Sequence, residues 1–229
     1  MRFEDLNWMD IEKYLQQDDR LILVTGACEQ HGYLSLLSDV RVPQALADAA
    51  SREAGVLVAP AVSFGVSPYF LSYPGTLSLR VSTFLDLVED IVRSAYGAGF
   101  RRILVLNGHG GNDPVRGRLV ELSNQLAGLR VSWYSWWLSA GTAGVAERRH
   151  LQRNHAGWLE NFPFTRVAEV PGGEKTVPPV TEILSAAATR RIYGDGVFSG
   201  AYQASDEVMQ ELFSTCLEEV LQLLLFKEA

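Results

Sequence analysis

Two apolar runs, Leu21-Ile22-Leu23-Val24 and Ile103-Leu104-Val105-Leu106, show no polar alternation. Runs of this kind read as strands buried on both faces, as in a parallel sheet. Each leads into a polar motif. The first is followed by Glu29-Gln30-His31 and then Asp39, the second by Asn107-Gly108-His109-Gly110-Gly111-Asn112. Segments of helical period lie between the runs. The chain therefore reads as an α/β protein, a three-layer α/β/α sandwich with a mostly parallel central sheet. Both motifs fall where a strand ends and its loop begins, the edge at which open α/β sheets bind ligands.

The remaining elements follow from period and turn chemistry. Strands are predicted over residues 21–26, 56–62, 103–106 and 131–136, and helices over 10–17 and 43–53, the latter with Pro43 in its first turn. A Thr83/Asp86 pair resembles a capping box opening a helix that Gly97 and Gly99 close. Asn112 or Asp113 can cap a further helix, with Pro114 in its first turn, and residues 205–227 read as a terminal amphipathic helix. Segments 63–80 and 138–204 give no clean period and read as loops carrying the site or subunit contacts. No repeat or linker divides the chain, so residues 1–229 read as one unit.

Composition narrows the class of function. A net charge of −7 without a basic run argues against nucleic acid. Two distant cysteines, Cys28 and Cys216, make no disulfide framework and suit a reducing compartment. The N-terminal residues lack the apolar core of a signal peptide, and no apolar stretch is long enough to span a bilayer. The expectation is a cytoplasmic protein without a membrane partner.

Of four histidines, two stand in the strand-end motifs and a third, His155, opens His155-Ala156-Gly157-Trp158-Leu159-Glu160. Glu29 and His31, two apart on extended backbone, face the same side, and Asp39 is far enough along for the loop to turn back. Carboxylate oxygens with imidazole nitrogens are what a hard or borderline divalent ion takes, and one Asp can bridge two ions. Each motif also has a plainer reading. Glu29 and Asp39 could be solvated loop acids, the glycine-rich turn could bind an anion or hold an incidental His109, and His155 with Glu160 could be a surface loop. The turn lacks the Lys and Ser/Thr of a phosphate loop, however, and a ligand histidine exposed by small neighbours fits it better. His150, among arginines, reads as solvated. There is no Gly-x-Ser-x-Gly elbow, and Cys28 reads as a small packed residue rather than a nucleophile.

Taken together and in order, these motifs resemble the creatininase (creatinine amidohydrolase) family. The resemblance is carried by Gly26-Ala27-Cys28-Glu29-Gln30-His31-Gly32, Asp39, Tyr73-Pro74-Gly75-Thr76, Asn107 to Asn112, His155 to Glu160 and the late run Gly194-Asp195-Gly196. It implies an α/β/α domain assembling into homo-oligomers, often hexamers, with one or two divalent metals, zinc foremost and manganese or iron as alternatives. Carried over by position, Glu29, Asp39 and His109 would hold one ion, and His31 with a bridging Asp39 the second. The Glu that completes the second site in creatinine-cleaving members falls at Gly111 here, and Glu160 is its natural replacement. Two histidines common in the family are absent, with Tyr33-Leu34 and Phe70 in their places, and the loop between His31 and Asp39 is one residue short. These changes make the pocket more apolar and put creatinine in doubt as the substrate.

The implied reaction is metal-assisted hydrolysis of a C–N bond in a small cyclic amide, formamide or related amide. Gly110 and Gly111 N–H groups would help hold the oxyanion, and His155 would protonate the leaving nitrogen, with Glu160 beside it. Trp158, Tyr73 and Phe70 are candidate pocket walls. A non-catalytic metal- or ligand-binding protein on the same scaffold, or a peptidase trimming a small peptide precursor, are the alternatives.

Overall fold

The computed structural model describes residues 1–227; the last two positions of the 1–229 unit lie outside the described residues. Its main strands are β1 (Arg20–Thr25), β2 (Leu57–Val58), β3 (Arg102–Asn107) and β4 (Arg130–Ser135), all parallel and in the order β2-β1-β3-β4. The helices are α1 (Trp8–Leu15), α2 (Ser38–Ala54), α3 (Val81–Ala98), α4 (Val115–Gln125), α5 (Ala140–Arg148), α6 (Ala186–Tyr193) and α7 (Asp206–Leu223). A short antiparallel pair, β5 (Glu174–Lys175) and β6 (Gly200–Ala201), stands apart from the main sheet.

Side-chain alternation along the strands builds two apolar layers. Ile22, Val24, Leu104 and Leu106 point to the face covered by α2, α5 and α7, where Leu46, Val145 and Leu212 meet them. Leu21, Leu23, Ile103 and Val105 point to the other face, against Phe84, Val88 and Val92 of α3 and Leu119 and Leu122 of α4. The result is the expected three-layer α/β/α sandwich. Each fully buried Leu, Ile or Phe contributes about 1.5–3 kcal/mol relative to an exposed one, so the two layers dominate the favourable side of folding.

The strand order sets the position of the site. From β1 the chain moves outward to β2, then returns past β1 to form β3. The loops after β1 and β3 therefore diverge, and a crevice opens at the carboxyl ends of these two strands. Their register runs from Arg20 opposite Arg102 to Thr25 opposite Asn107, so the two polar motifs start side by side.

Several boundaries differ from the sequence expectation. Helix α2 starts at Ser38, so Asp39 lies in its first turn rather than in a loop, and Pro43 lies inside the helix. Pro43 has no N–H to give the Asp39 carbonyl four residues earlier, and Gly108 packs against that carbonyl instead. Strand β2 covers only Leu57–Val58 because Pro60 interrupts the ladder, which resumes where Val62 N donates to Val24 O at 2.9 Å. Helix α3 begins at Val81 with Arg80 as an N-cap that makes no side-chain bond, so Thr83 caps nothing. Helix α4 begins at Val115, and neither Asn112 nor Asp113 is its cap. The stretch 138–204 holds α5, α6, β5 and β6, where no regular element was expected. Among the described residues no helix is long and apolar enough to cross a membrane, and Cys28 and Cys216 are both free thiols.

Candidate metal centre

Two asparagines brace the crevice. Thr25 Oγ1 at the end of β1 donates to Asn107 Oδ1 at 3.0 Å, and Asn107 Nδ2 donates to the His109 carbonyl at 2.8 Å. Asn112 Nδ2 donates to Gly26 O at 3.1 Å while its Oδ1 accepts from Val66 N at 3.3 Å. Asn112, expected as a helix cap, thus ties three loops together. The glycines of the motif are required by close approach. A Cβ on Gly108 would lie 1.8 Å from the Asp39 carbonyl oxygen, and one on Gly111 would lie 1.9 Å from Val66 O and 2.6 Å from His109 Nε2. Position 111 therefore has no room for a carboxylate side chain.

Around this frame Glu29, His31, Asp39, His109 and Glu160 are all buried. Asp39 sits between two imidazoles, its Oδ1 3.0 Å from His31 Nε2 and its Oδ2 2.9 Å from His109 Nδ1. Glu160 Oε1 lies 3.6 Å from His31 Nε2, and Glu29 Oε2 lies 3.6 Å from His109 Nε2. Two sets, Glu29 with Asp39 and His109, and His31 with Asp39 and Glu160, each bring three donor atoms within 4.8 Å of one another, with Asp39 in both. A third set joins Glu29, His31 and His155.

Outer contacts orient these donors. His31 Nδ1 donates to the Glu29 carbonyl at 3.0 Å, which turns Nε2 toward Asp39 and Glu160. His109 Nε2 lies 2.9 Å from Val66 O and 3.2 Å from Ser67 Oγ, which turns Nδ1 to Asp39. Glu160 Oε2 accepts from Ala156 N at 2.6 Å, a contact made with Ala156 in the left-handed region at φ 60°. Thr76, of the Pro-Gly-Thr element, accepts from Gln30 N at 3.0 Å and so supports the loop rather than the site itself.

The charges are strongly coupled. Burial pushes the Glu29 carboxyl up to about 7, against the pull of His109. Burial works against charge on His109, yet Glu29 and Asp39 outweigh it and raise the imidazole to about 9. His31 is likewise raised: burial opposes its charge, and Asp39 and Glu160 prevail. Asp39 and Glu160 are held below the usual carboxylate range; burial alone would raise both, but the imidazoles win. His155 behaves oppositely. Burial and the neighbouring His31 bring it down to about 4.

The cluster opens into a cavity of about 600 Å3 lined by Glu29, Asp39, His109, His155 and Glu160. All five residues read from sequence as metal ligands meet here, with His155 beside them, its Nδ1 3.8 Å from Glu29 Oε1. His150 stays on the surface. Of the expected walls only Phe70 lines the cavity, stacked on His155 at 4.7 Å between ring centroids. Trp158 is wholly buried in the core, its Nε1 donating to Gln152 O, and Tyr73 is buried away from the opening. Sequence reasoning missed Ser67, Trp137, Arg153, Tyr193 and Phe198 on the lining. Ser67, Arg153, Tyr193 and Phe198 come from the segments without clear period, Trp137 directly follows the predicted strand 131–136, and no spacing rule marks them.

Comparison with known proteins bears on the family and the fold. A family model described as creatininase, creatinine amidohydrolase, matches residues 4–224. The creatinine amidohydrolase of Pseudomonas putida is 34% identical over 112 residues, which are 46% of this chain and 43% of that protein. A 3-dehydro-scyllo-inosose hydrolase of Thermotoga maritima is 28% identical over 110 residues, 47% of this chain and 35% of that protein. A mycofactocin precursor peptide peptidase of Mycolicibacterium smegmatis is 34% identical over 99 residues, 40% of each. The chain thus spans less than half the length of these curated relatives. Among solved structures, a creatininase described with Mn superposes with a TM-score of 0.78 at 24% identity over 96% of both chains. A creatininase variant of Zn-Zn type does so with a TM-score of 0.76 at 24% identity, over 96% of this chain and 95% of that one. These two likenesses establish the fold. With the family model spanning nearly its whole length, the chain belongs to the creatininase family.

Proposed function

We propose that the protein is a divalent-metal-dependent hydrolase of a C–N bond in a small cyclic amide, formamide or related amide. In this reading Glu29, Asp39 and His109 hold one ion, and His31, Asp39 and Glu160 a second. One observation carries the reading: three carboxylates, Glu29, Asp39 and Glu160, are buried in one cluster with His31 and His109, and Glu29 Oε2 has no hydrogen-bond partner there. In the metal-free fold, protons on His31, His109 and Glu29 offset this buried negative charge, and a cation between the donors would take over that role. The donors are oxygen and imidazole nitrogen with no thiolate, a set that suits zinc foremost and also manganese or iron.

An ion held there supplies a polarised carbonyl and a water acidified toward neutrality. The protein's own residues do the rest. Asp39 keeps the two halves of the cluster in register. His31 and His109 are aimed by the Glu29 and Val66 carbonyls. His155 stands beside the cluster within reach of the leaving group, and Glu160 lines the same cavity. Phe70, Phe198 and Leu159 make the cavity wall apolar and limit the water admitted. The absence of space at Gly111 supports Glu160 as the carboxylate of the second set.

Trimming of a peptide is the second reading. The likeness to mycofactocin precursor peptide peptidases favours it. The test is turnover of zinc- or manganese-loaded protein on parallel panels of lactams, formamides and small amides, and of short peptides. Cleavage in the first panel that Glu29→Ala and His109→Ala abolish supports the amide reading. Cleavage confined to peptides replaces it with the second, and a metal-loaded protein inert on both panels favours a binding role.

A further inference from the structure

The Gln30 side chain lies against His155, its Nε2 2.9 Å from His155 Nε2. The Gln30 side-chain amide has one orientation. Gly32 N donates to its Oε1 at 3.1 Å, and its Nε2 donates to Gly196 O at 3.1 Å. Turning the amide over would set its nitrogen against the Gly32 N–H and its oxygen against the Gly196 carbonyl. The second N–H of that amide lies 2.9 Å from His155 Nε2. Two N–H groups cannot share this contact, so the ring nitrogen there must accept. The Gln30 backbone carbonyl, 3.2 Å from the same ring nitrogen, is the competing partner and would call for an N–H. The shorter contact from an amide that cannot turn decides between them.

We propose that Gln30 holds His155 as the neutral tautomer with its proton on Nδ1, so that the ring offers the cavity a fixed N–H donor rather than a base. Gln30 is then a positioning residue acting through His155. Its place is built into the fold. Gly196 has φ +95°, and a Cβ there would lie 1.7 Å from Gln30 Oε1. The loop carrying Gly196 is pinned by Lys175 Nζ, which donates to Tyr193 O at 2.5 Å, to Val197 O at 2.6 Å and to Asp195. Phe70 stacks on the imidazole with an interplanar angle of 16° and fixes the ring plane. Nδ1 then faces the carboxylate cluster, 3.8 Å from Glu29 Oε1. A carbonyl oxygen, or the nitrogen lone pair of a bound molecule, would receive a hydrogen bond from this N–H, and the ring keeps its proton throughout. The placement of the proton does not depend on the amide-hydrolase reading. If that reading holds, His155 stabilises developing charge by hydrogen bonding and is not the source of the proton on the leaving nitrogen.

The test is long-range 1H–15N correlation NMR of protein labelled at the histidine nitrogens, metal-free and zinc-loaded, with His155→Gln identifying the signal. Expected in both forms is a pyridine-type Nε2 and a pyrrole-type Nδ1. In Gln30→Glu the carboxylate only accepts, and in Gln30→Ala only the backbone carbonyl remains, so both variants should exchange the two types. A protonated Nε2 in the unsubstituted protein overturns the proposal, and so does a tautomer unchanged in both variants. If neither variant folds, the spectrum of the unsubstituted protein decides alone.

Discussion

Gly108 lies so close to the Asp39 carbonyl that a methyl group at position 108 would sit 1.8 Å from its oxygen. The contact joins the end of β3 to the first turn of α2 and fixes the residue shared by both candidate metal sets. Gly108→Ala must therefore move either the loop or the helix start. Expected is a loss of at least about 2 kcal/mol of stability, as in other overpacked sites, with a fall in bound zinc. Gly97, exposed within α3 with nothing near its Cβ position, is the contrast. Gly97→Ala should stabilise by about 0.5–1 kcal/mol from helix propensity alone. Urea denaturation of both variants checks the pair; equal effects would contradict the close-approach explanation.

Much of this frame was legible in the sequence, for physical reasons. β1 and β3 announce themselves because a parallel strand covered on both faces has no polar alternation, and the site follows because such strands end at a crevice. Asp39 could be chosen as a donor, but not placed. Pro43 suggested a helix start, whereas in the fold it frees a carbonyl for Gly108 to approach. Thr83 with Asp86 had the spacing of a cap and no role as one, because the helix had already begun at Val81. Asn112 also read as a cap, yet its amide is used between loops distant in sequence. The lining residues Ser67, Arg153 and Phe198 come from irregular segments whose positions depend on tertiary contacts. The pairing of β5 with β6 is likewise nonlocal, and no local period encodes it.

Stability of the metal-free protein should fall as pH rises from about 7 to 9. His109 is raised to about 9 in the fold, so over this window the native state holds a proton that the unfolded chain, with an ordinary imidazole, has released. His31 is raised as well and acts in the same direction. Glu29, near 7, adds to the loss at the lower end. The lowered His155 and Asp39 titrate below this window and do not oppose the trend. Zinc replaces those protons, so its stabilising effect should grow with pH. Thermal melting across this range, with and without zinc, measures both; a metal-free melting point that rises with pH contradicts the charge assignment.

Phe70 is nearly buried and packs against His155, Phe198 and Tyr73. Phe70→Ala should cost about 3–5 kcal/mol through lost transfer energy and the cavity left behind. Phe70→Leu should cost clearly less, since it retains most of the volume. Equilibrium unfolding of both variants is the check, and a loss below about 1 kcal/mol for the alanine variant would mean the ring is not packed as described.

In the proposed reading Asp39 is shared between two cations. Elemental analysis of purified protein, dialysed against zinc and then freed of excess, tests it most directly when run on four chains together. The unsubstituted protein should retain about two ions per chain, His31→Ala and Glu160→Gln about one each, and Asp39→Asn close to none. Unchanged zinc content in Asp39→Asn, or a folded unsubstituted protein that retains no ion, would contradict it.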